Sequence, residues 1–184
     1  MNVYGAADLA RAFRTVRKNT IQIADEIPAD KYDFRPAEGS MSVAETLRHI
    51  AVVTSWPIEA HGQRLTAITF DMFGKIHARM LQAEAELKTK SDIMGALVTN
   101  GEEFAKFLEG LTDEVLAETV SFPPEANQPP KTRFEMLLSS KEHEMHHRGQ
   151  LMVIERILGI VPHLTRQMAE RIAAMQQKQA AQGA

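Results

Sequence analysis

The sequence predicts an all-α protein whose main unit is a four-helix bundle with additional short helices. Apolar residues recur every three or four positions along several long segments, whereas the alternation typical of strands is nearly absent. Only ten glycines and eight prolines occur among the 184 residues, too few for a loop-rich β-sandwich. A chain of this length favours a single domain. We expect one helical domain over residues 1–173 and a polar, frayed and disordered tail over residues 174–184.

The first two long helices are indicated mainly by their ends. Apolar spacing predicts a helix from Asp8 to Ile27, and Pro28 ends it. Ser42 and Glu45 form the pattern of a capping box, so a second helix is expected to begin there. This helix continues at least to Pro57, where we expect either a kink or an end.

The middle of the chain is harder to interpret. The segment 59–90 shows no clear periodicity, and we expect it to be partly helical. A third long helix is predicted after it, capped by Ser91 or Asp92 and running through Leu108. Gly110 ends this helix because glycine is common just beyond a helix C-terminus.

The C-terminal third combines a proline-rich loop with a long helix. Four prolines among the eleven residues of segment 121–131 predict an extended loop. Thr132 and Glu135 form a second capping box, which opens a helix that we expect to reach Leu158. A short final helix is predicted over His163–Met175.

Composition excludes several classes of function. The absence of cysteine removes disulfides, thiolate metal sites, iron–sulfur clusters and cysteine nucleophiles. A net charge of −3 argues against nucleic acid as the main partner. No apolar run is long enough to cross a membrane, and the N-terminal segment lacks the apolar centre of a signal peptide. We therefore expect a cytoplasmic protein whose main partner is neither a nucleic acid nor a membrane.

The segment KEHEMHHRGQL, residues 141–151, holds the residues best suited to chemistry. His143 and His147 are four positions apart, so their side chains share one face of a helix at a separation of about 5–6 Å. Ile154 lies on the same face, which indicates that this face is turned towards the interior of the bundle. Two imidazoles at this spacing can bind one metal ion.

A metal site needs a third ligand, and His49 is the best candidate. It lies within the second helix with Val53 and Trp56 on the same face, so its imidazole needs a buried polar partner. Three histidines from two helices would leave coordination positions open, as in catalytic metal sites. The alternative for His49 is a core histidine that binds no metal. His61, His77 and His163 have no partner in sequence, and each is expected at the surface or in a turn and not as a ligand. His146 is expected at the flank of its helix.

The same letters permit two other metal sites. Residues 143–147 match H-E-x-x-H, the zinc-protease helix in which Glu144 would be the general base. The preceding sequence is not typical of that class, and no strand is expected to form a peptide-binding edge. Glu144 and His147 also supply one E-x-x-H pair, but a di-iron bundle needs two such pairs and two further glutamates.

Two motifs resemble the DinB-like family of four-helix-bundle proteins. Residues 40–51 read SMSVAETLRHIA and residues 143–151 read HEMHHRGQL. The family pattern has one histidine in the second helix and His-x-x-x-His-Arg-Gly-Gln in a later helix. His49, His143 and His147 match it, and the resemblance spans roughly residues 8–165. The segment 59–90, the loop 121–131 and the Gln-rich tail depart from the family pattern.

The resemblance implies an up-down-down-up bundle with a divalent metal, zinc or nickel, on His49, His143 and His147. It also implies a homodimer and a reaction with a low-molecular-weight thiol. We expect a metal-dependent transferase or hydrolase that acts on a small molecule, with Glu144 and Gln150 as candidates for proton handling and orientation. The alternative is a non-enzymatic, stress-associated binding protein in which a metal is structural or absent.

A second apolar face also suggests dimerisation. Leu138, Met145 and Met152 recur every seven residues, nearly opposite the two histidines. A helix that is apolar on two sides is expected to be buried on both, either within the bundle or at a subunit interface.

Overall fold

The structure, a computed structural model, describes residues 4–182 and confirms an all-α fold. The only strands within these residues form one short antiparallel pair. In chain order the elements are α1 (Ala6–Glu26), α2 (Val43–Val53), α3 (Ser55–Gly62), α4 (Phe70–Glu86), α5 (Lys90–Glu109), α6 (Asp113–Ala117), β1 (Thr119–Val120), β2 (Lys131–Thr132), α7 (Arg133–Ile157) and α8 (His163–Gln182).

The long helix α1 packs between α5 and α7. It runs antiparallel to α5 and parallel to α7. Near its start, the ring of Phe13 meets that of Phe104 edge to face at 4.8 Å between ring centroids. Near its end, Lys90 donates to the carbonyl oxygen of Ile27, so α1 and α5 are antiparallel. Tyr4 lies against Phe134 at the beginning of both α1 and α7, so these two helices are parallel.

The helix α2 packs between α5 and α7 on the other side of the bundle. Arg48 donates to the carbonyl of Leu87, just before α5, and Asn100 donates to the carbonyl of Ala51. These contacts advance together along both chains, so α2 and α5 are parallel. The order α1, α2, α5, α7 is therefore up, down, down, up, as the family resemblance implied.

A polar layer divides the core of the bundle. One buried apolar cluster holds Ile23 and Ile27 of α1 with Leu151 and Ile154 of α7. A second cluster lies nearer the start of both helices and includes Phe13. Between the clusters, α1 and α7 carry four buried polar side chains: Arg17, Thr20, Glu144 and His147.

Most predicted helix ends are confirmed within one or two residues, but the end of α2 and the cap of α5 differ from the prediction. The second helix ends at Val53 and α3 follows after Thr54, so the chain bends three residues before Pro57. The cap of α5 is Thr89, not Ser91 or Asp92. Its hydroxyl accepts from the Asp92 backbone amide, and the Asp92 carboxylate accepts from the Thr89 amide at 2.8 Å.

The loop 121–131 is held at its base by structure that the sequence analysis did not predict. The helix α6 precedes it, and β1 pairs with β2 so that Val120 lies opposite Lys131. Within the loop, residues 124–126 form a 3₁₀ turn that ends at Asn127 in the left-handed conformation, with φ 47°. The loop 121–131 therefore begins and ends at the paired strands β1 and β2, and it is not a freely extended connection.

The final helix is longer than predicted. It continues from His163 to Gln182, so the described part of the expected disordered tail is helical. Alanine, glutamine and methionine dominate this segment, and all three favour the helix without needing a buried face. Residues 183–184 lie outside the described residues. No helix within residues 4–182 has both the length and the apolar character needed to cross a membrane.

Candidate metal centre

The structure brings the three predicted histidines together at the interface of α2 and α7. His143 and His147 lie one turn apart on α7, and His49 faces them from α2. The Nε2 atom of His143 lies 3.3 Å from that of His49 and 3.2 Å from that of His147. One nitrogen from each ring lies within 4.8 Å of the other two. The three rings therefore present nitrogens to a common point.

The donor set fits a divalent metal ion. At a zinc–nitrogen distance of about 2.0–2.1 Å, tetrahedral ligand nitrogens lie about 3.3–3.4 Å apart, close to the two separations at His143. Hydrogen bonds alone serve this cluster poorly, because each contact between two imidazole nitrogens needs a proton on one of them. Imidazole nitrogen suits zinc, nickel, copper and iron, so the rings by themselves do not select one ion.

Two of the rings are oriented from behind by acceptors. The Nδ1 atom of His49 lies 3.2 Å from the Glu84 carboxylate, and Nδ1 of His147 lies 2.9 Å from Oε1 of Gln150. A hydrogen on each Nδ1 satisfies these acceptors and leaves the Nε2 lone pair free for a metal. Glu84 lies on α4, in the segment that the sequence left ambiguous, so it was not identified before. Gln150, which was a candidate for orientation, contacts the candidate ligand His147.

The third ring has a different environment. The Nδ1 atom of His143 is buried and has no hydrogen-bond partner. Burial, and then the neighbouring imidazoles, lower the pKa of His143 to about 4. Burial also lowers the pKa of His147, although its bond to Gln150 opposes the shift. The imidazoles of His143 and His147 are therefore neutral near pH 7, the state in which histidine binds metals.

The expectation that Glu144 handles protons at this site is wrong. Its carboxylate is 1% exposed and faces α1, where Arg17 donates to both oxygens at 2.9–3.0 Å. Arg17 also donates to the carbonyl oxygens of Leu97 and Ile50, so the ion pair joins four helices. The H-E-x-x-H interpretation loses its general base for the same reason.

Gly101 explains how an arginine can lie inside the bundle. A Cβ atom at this position would lie 2.8 Å from Cγ of Arg17, closer than real contacts allow. The absence of a side chain on α5 therefore makes room for the aliphatic part of Arg17.

The remaining histidines divide between surface and core. His77 and His146 are exposed, as predicted. A surface position is wrong for His61 and His163, each 1% exposed, and neither belongs to the three-histidine cluster. Nδ1 of His61 lies 3.1 Å from the guanidinium of Arg133, and burial followed by that charge lowers the pKa of His61 to about 4. Nε2 of His163 lies 3.3 Å from Oδ1 of Asn19. His61 and His163 are therefore held by tertiary contacts that local spacing does not reveal.

A pocket of about 270 Å³ opens beside His143. We call this space between α3, the loop 121–131 and α7 the α3–α7 pocket. Its lining consists of Val53, Thr54, Trp56, Pro57, Phe122, Gln128, Lys131, Glu135, Met136, Ser139, Ser140 and His143. The candidate metal centre therefore borders a space large enough for a small molecule.

The second apolar face of α7 is only partly covered. Leu138 and Met152 pack against the two core clusters, whereas Met145 is 41% exposed. The expected burial on both sides is thus incomplete within one chain, and dimerisation stays a prediction.

An up-down-down-up bundle with three converging histidines defines a class of helical proteins with a candidate metal centre. The chain belongs to the DinB superfamily, whose family model matches residues 12–151. The matched range contains His49, His143 and His147, so the candidate ligands lie within the part of the chain that the family shares.

Individual relatives agree with this assignment. The chain is 30% identical to the uncharacterized protein YjoA of Bacillus subtilis over 147 residues, covering 80% of this chain and 86% of YjoA. The crystal structure of YjoA, a DinB-like protein, matches with a TM-score of 0.60 at 27% identity, covering 82% of this chain and 91% of that one.

A more distant structure shares the fold. YfiT of Bacillus subtilis, described as a probable metal-dependent hydrolase with an unusual four-helix bundle topology, matches with a TM-score of 0.65 at 15% identity. The match covers 84% of this chain and 88% of YfiT. At this identity the likeness shows a common fold.

Proposed function

We propose that this protein is a metal-dependent enzyme that acts on a small molecule as a transferase or hydrolase. His49, His143 and His147 would hold a divalent ion, zinc or nickel. The observation that carries the proposal is the convergence of three imidazole nitrogens beside an open pocket. The description of YfiT as a probable metal-dependent hydrolase supports the same class of reaction.

The side chains around the centre have separable roles in this proposal. A bound divalent ion would lower the pKa of a water or thiol on it and so supply a nucleophile near neutral pH. Glu84 and Gln150 would act as positioning residues, because each accepts a hydrogen bond from the outer nitrogen of a ligand histidine. The α3–α7 pocket would receive the substrate next to His143.

Three finer parts of the proposal come from the family resemblance. These are a low-molecular-weight thiol as co-substrate, a homodimeric assembly and a cytoplasmic location. A monomer in sedimentation at micromolar concentration would remove the dimer. The absence of any metal-dependent reaction with thiols would remove the co-substrate without affecting the ligand set.

Elemental analysis of protein purified without a histidine tag tests the ligand set. We expect about one divalent ion per chain, its loss in His143→Ala and its retention in His77→Ala. His77 is the matched control because it is an exposed histidine outside the cluster. Wild-type protein that remains metal-free after incubation with zinc or nickel would overturn the proposal.

A second measurement separates an enzyme from the structural alternative. Cobalt substitution reports the coordination of the ion through its visible spectrum. A spectrum that changes when a thiol is added indicates an open coordination position and favours the enzyme. A closed four-ligand spectrum that no small molecule alters would favour a non-enzymatic bundle with a structural metal.

A further inference from the structure

The walls of the α3–α7 pocket are mostly apolar. Pro57 is buried, and Trp56 and Met136 are half-buried on opposite sides. Phe122, contributed by the loop 121–131, is also half-buried. Side chains of this kind favour the apolar part of a ligand, since burying it removes apolar surface from water.

One end of the pocket carries a positive charge, the ammonium of Lys131, that is not paired with an acidic side chain of the described residues. Lys131 is exposed, and its ammonium lies 5.9 Å from the ring centroid of Phe122. None of the ion pairs formed within residues 4–182 includes Lys131. This ammonium is therefore available to a ligand anion at the outer rim of the pocket.

The acidic side chain that lines this end of the pocket, Glu135, is already engaged. Glu135 accepts hydrogen bonds from the backbone amide and the hydroxyl of Thr132 at 2.7 and 2.8 Å, as part of the cap of α7. The negative charge of Glu135 weakens the attraction of Lys131 for an anion. It does not cancel this attraction, because the two side chains form no ion pair.

The dimensions of the pocket limit the size of the ligand. Glu135 and His143 are eight residues apart on α7, which corresponds to about 12 Å along the helix axis. The volume of about 270 Å³ holds roughly nine heavy atoms, at about 30 Å³ for each water-sized group. A medium-length carboxylate has both this length and this volume.

We propose that the α3–α7 pocket binds small molecules with an apolar body and a terminal carboxylate. The carboxylate would pair with Lys131, the apolar body would lie between Trp56 and Met136, and the other end would point to His143. The proposal rests on the proposed function in one respect only: the end of the ligand next to His143 would be the end that reacts.

The chain carries its own reporter for this binding. Trp56 is the only tryptophan, so a change in intrinsic fluorescence reports directly on the pocket wall. We would titrate the protein as purified, and again after treatment with a chelator, with octanoate and with its uncharged analogue octanamide. Titration calorimetry of the same samples gives a second readout that does not depend on fluorescence.

Two substitutions should change binding in opposite directions. Lys131→Met should weaken octanoate binding about two- to fivefold, the range expected for an exposed ion pair, and leave octanamide unchanged. Glu135→Gln should strengthen octanoate binding, because glutamine preserves the helix cap but removes the negative charge. Unchanged thermal unfolding of both variants would show that the fold is intact.

Each negative outcome removes a defined part of the proposal. Equal affinity for octanoate and octanamide, or no effect of Lys131→Met, would overturn the assignment of a carboxylate. No signal in either fluorescence or calorimetry would overturn binding of an apolar body. Binding that persists in metal-free protein would support the pocket even if elemental analysis had refuted the metal centre.

Discussion

The three-histidine cluster and the Arg17–Glu144 pair occupy the same polar layer but differ in how their polar atoms are satisfied. Arg17 and Glu144 are both buried, and they bind each other through three hydrogen bonds. In the histidine cluster, nitrogens face nitrogens, and the outer nitrogen of His143 has no partner. A fully satisfied buried pair needs no further partner, whereas an incompletely satisfied cluster beside a pocket indicates a ligand.

The contrast is sharpest between two adjacent residues. His143 and Glu144 are neighbours in sequence, but successive side chains on a helix point about 100° apart. One therefore faces α2 and the pocket while the other faces α1 and the core. The predictions below test whether the two regions affect different properties of the protein, beginning with the largest effect.

Breaking the core pair should destabilise the fold without affecting metal binding. Arg17→Met leaves the Glu144 carboxylate buried and unpaired, so we expect the free energy of unfolding to fall by about 3–5 kcal/mol. Urea denaturation measures this loss. Arg14→Met is the control: Arg14 pairs with Glu102 and Glu109 at the surface, where such pairs contribute about 0–1 kcal/mol.

A double variant keeps this test informative if Arg17→Met fails to fold. Arg17→Met/Glu144→Leu removes both charges and should recover most of the lost stability. Metal content equal to wild type in this variant would separate the two regions. Loss of the metal there would show that the core pair also supports the histidine cluster.

Glu155 provides a buried polar group of a third kind, one that is unpaired. It is fully buried, neither carboxylate oxygen has a hydrogen-bond partner, and burial together with nearby Glu26 raises its pKa to about 7. Between pH 4.5 and 7 the folded state keeps a proton that the unfolded state loses, so stability falls as pH rises. The expected loss across this range is roughly 3 kcal/mol.

Glu155→Gln should remove this contribution. The stability difference between the variant and wild type should therefore shift in favour of the variant as the pH rises from about 4.5 to 7. Denaturation curves at several pH values measure it. Parallel pH profiles of the two proteins would contradict the assignment of this titration to Glu155.

Removing the acceptor behind His49 should affect the metal and leave stability nearly unchanged. Glu84→Ala leaves Nδ1 of His49 without its carboxylate partner, and loss of such a partner lowers metal affinity about 10–100-fold. Competition with a chromophoric chelator measures the change. Glu86→Ala, an exposed glutamate on the same helix, should bind metal as wild type does.

The smallest effect is expected at Gln150. Its amide oxygen is a neutral acceptor on an exposed residue, so Gln150→Ala should lower metal affinity by less than about tenfold. The same competition assay compares it with Glu84→Ala. A larger loss for Gln150→Ala would show that the ring of His147 depends on its partner more than that of His49 does.

Local sequence patterns determined the four main helices of the bundle and the shared face of His143 and His147. The capping boxes at Ser42 and Thr132 locate the starts of α2 and α7, because a cap depends on residues three positions apart. The spacing of His143 and His147 places both on one face of α7, because residues four positions apart lie about one turn apart on a helix. These features need no knowledge of the rest of the chain.

Only the tertiary structure decided what each of these faces meets. Glu144 pairs with a residue 127 positions away, and His49 is supported by Glu84 on a helix with no clear periodicity. The α3–α7 pocket likewise depends on how the loop 121–131 closes against α3. Such contacts are set by the packing of whole helices, so neither helical periodicity nor motif spacing reveals them.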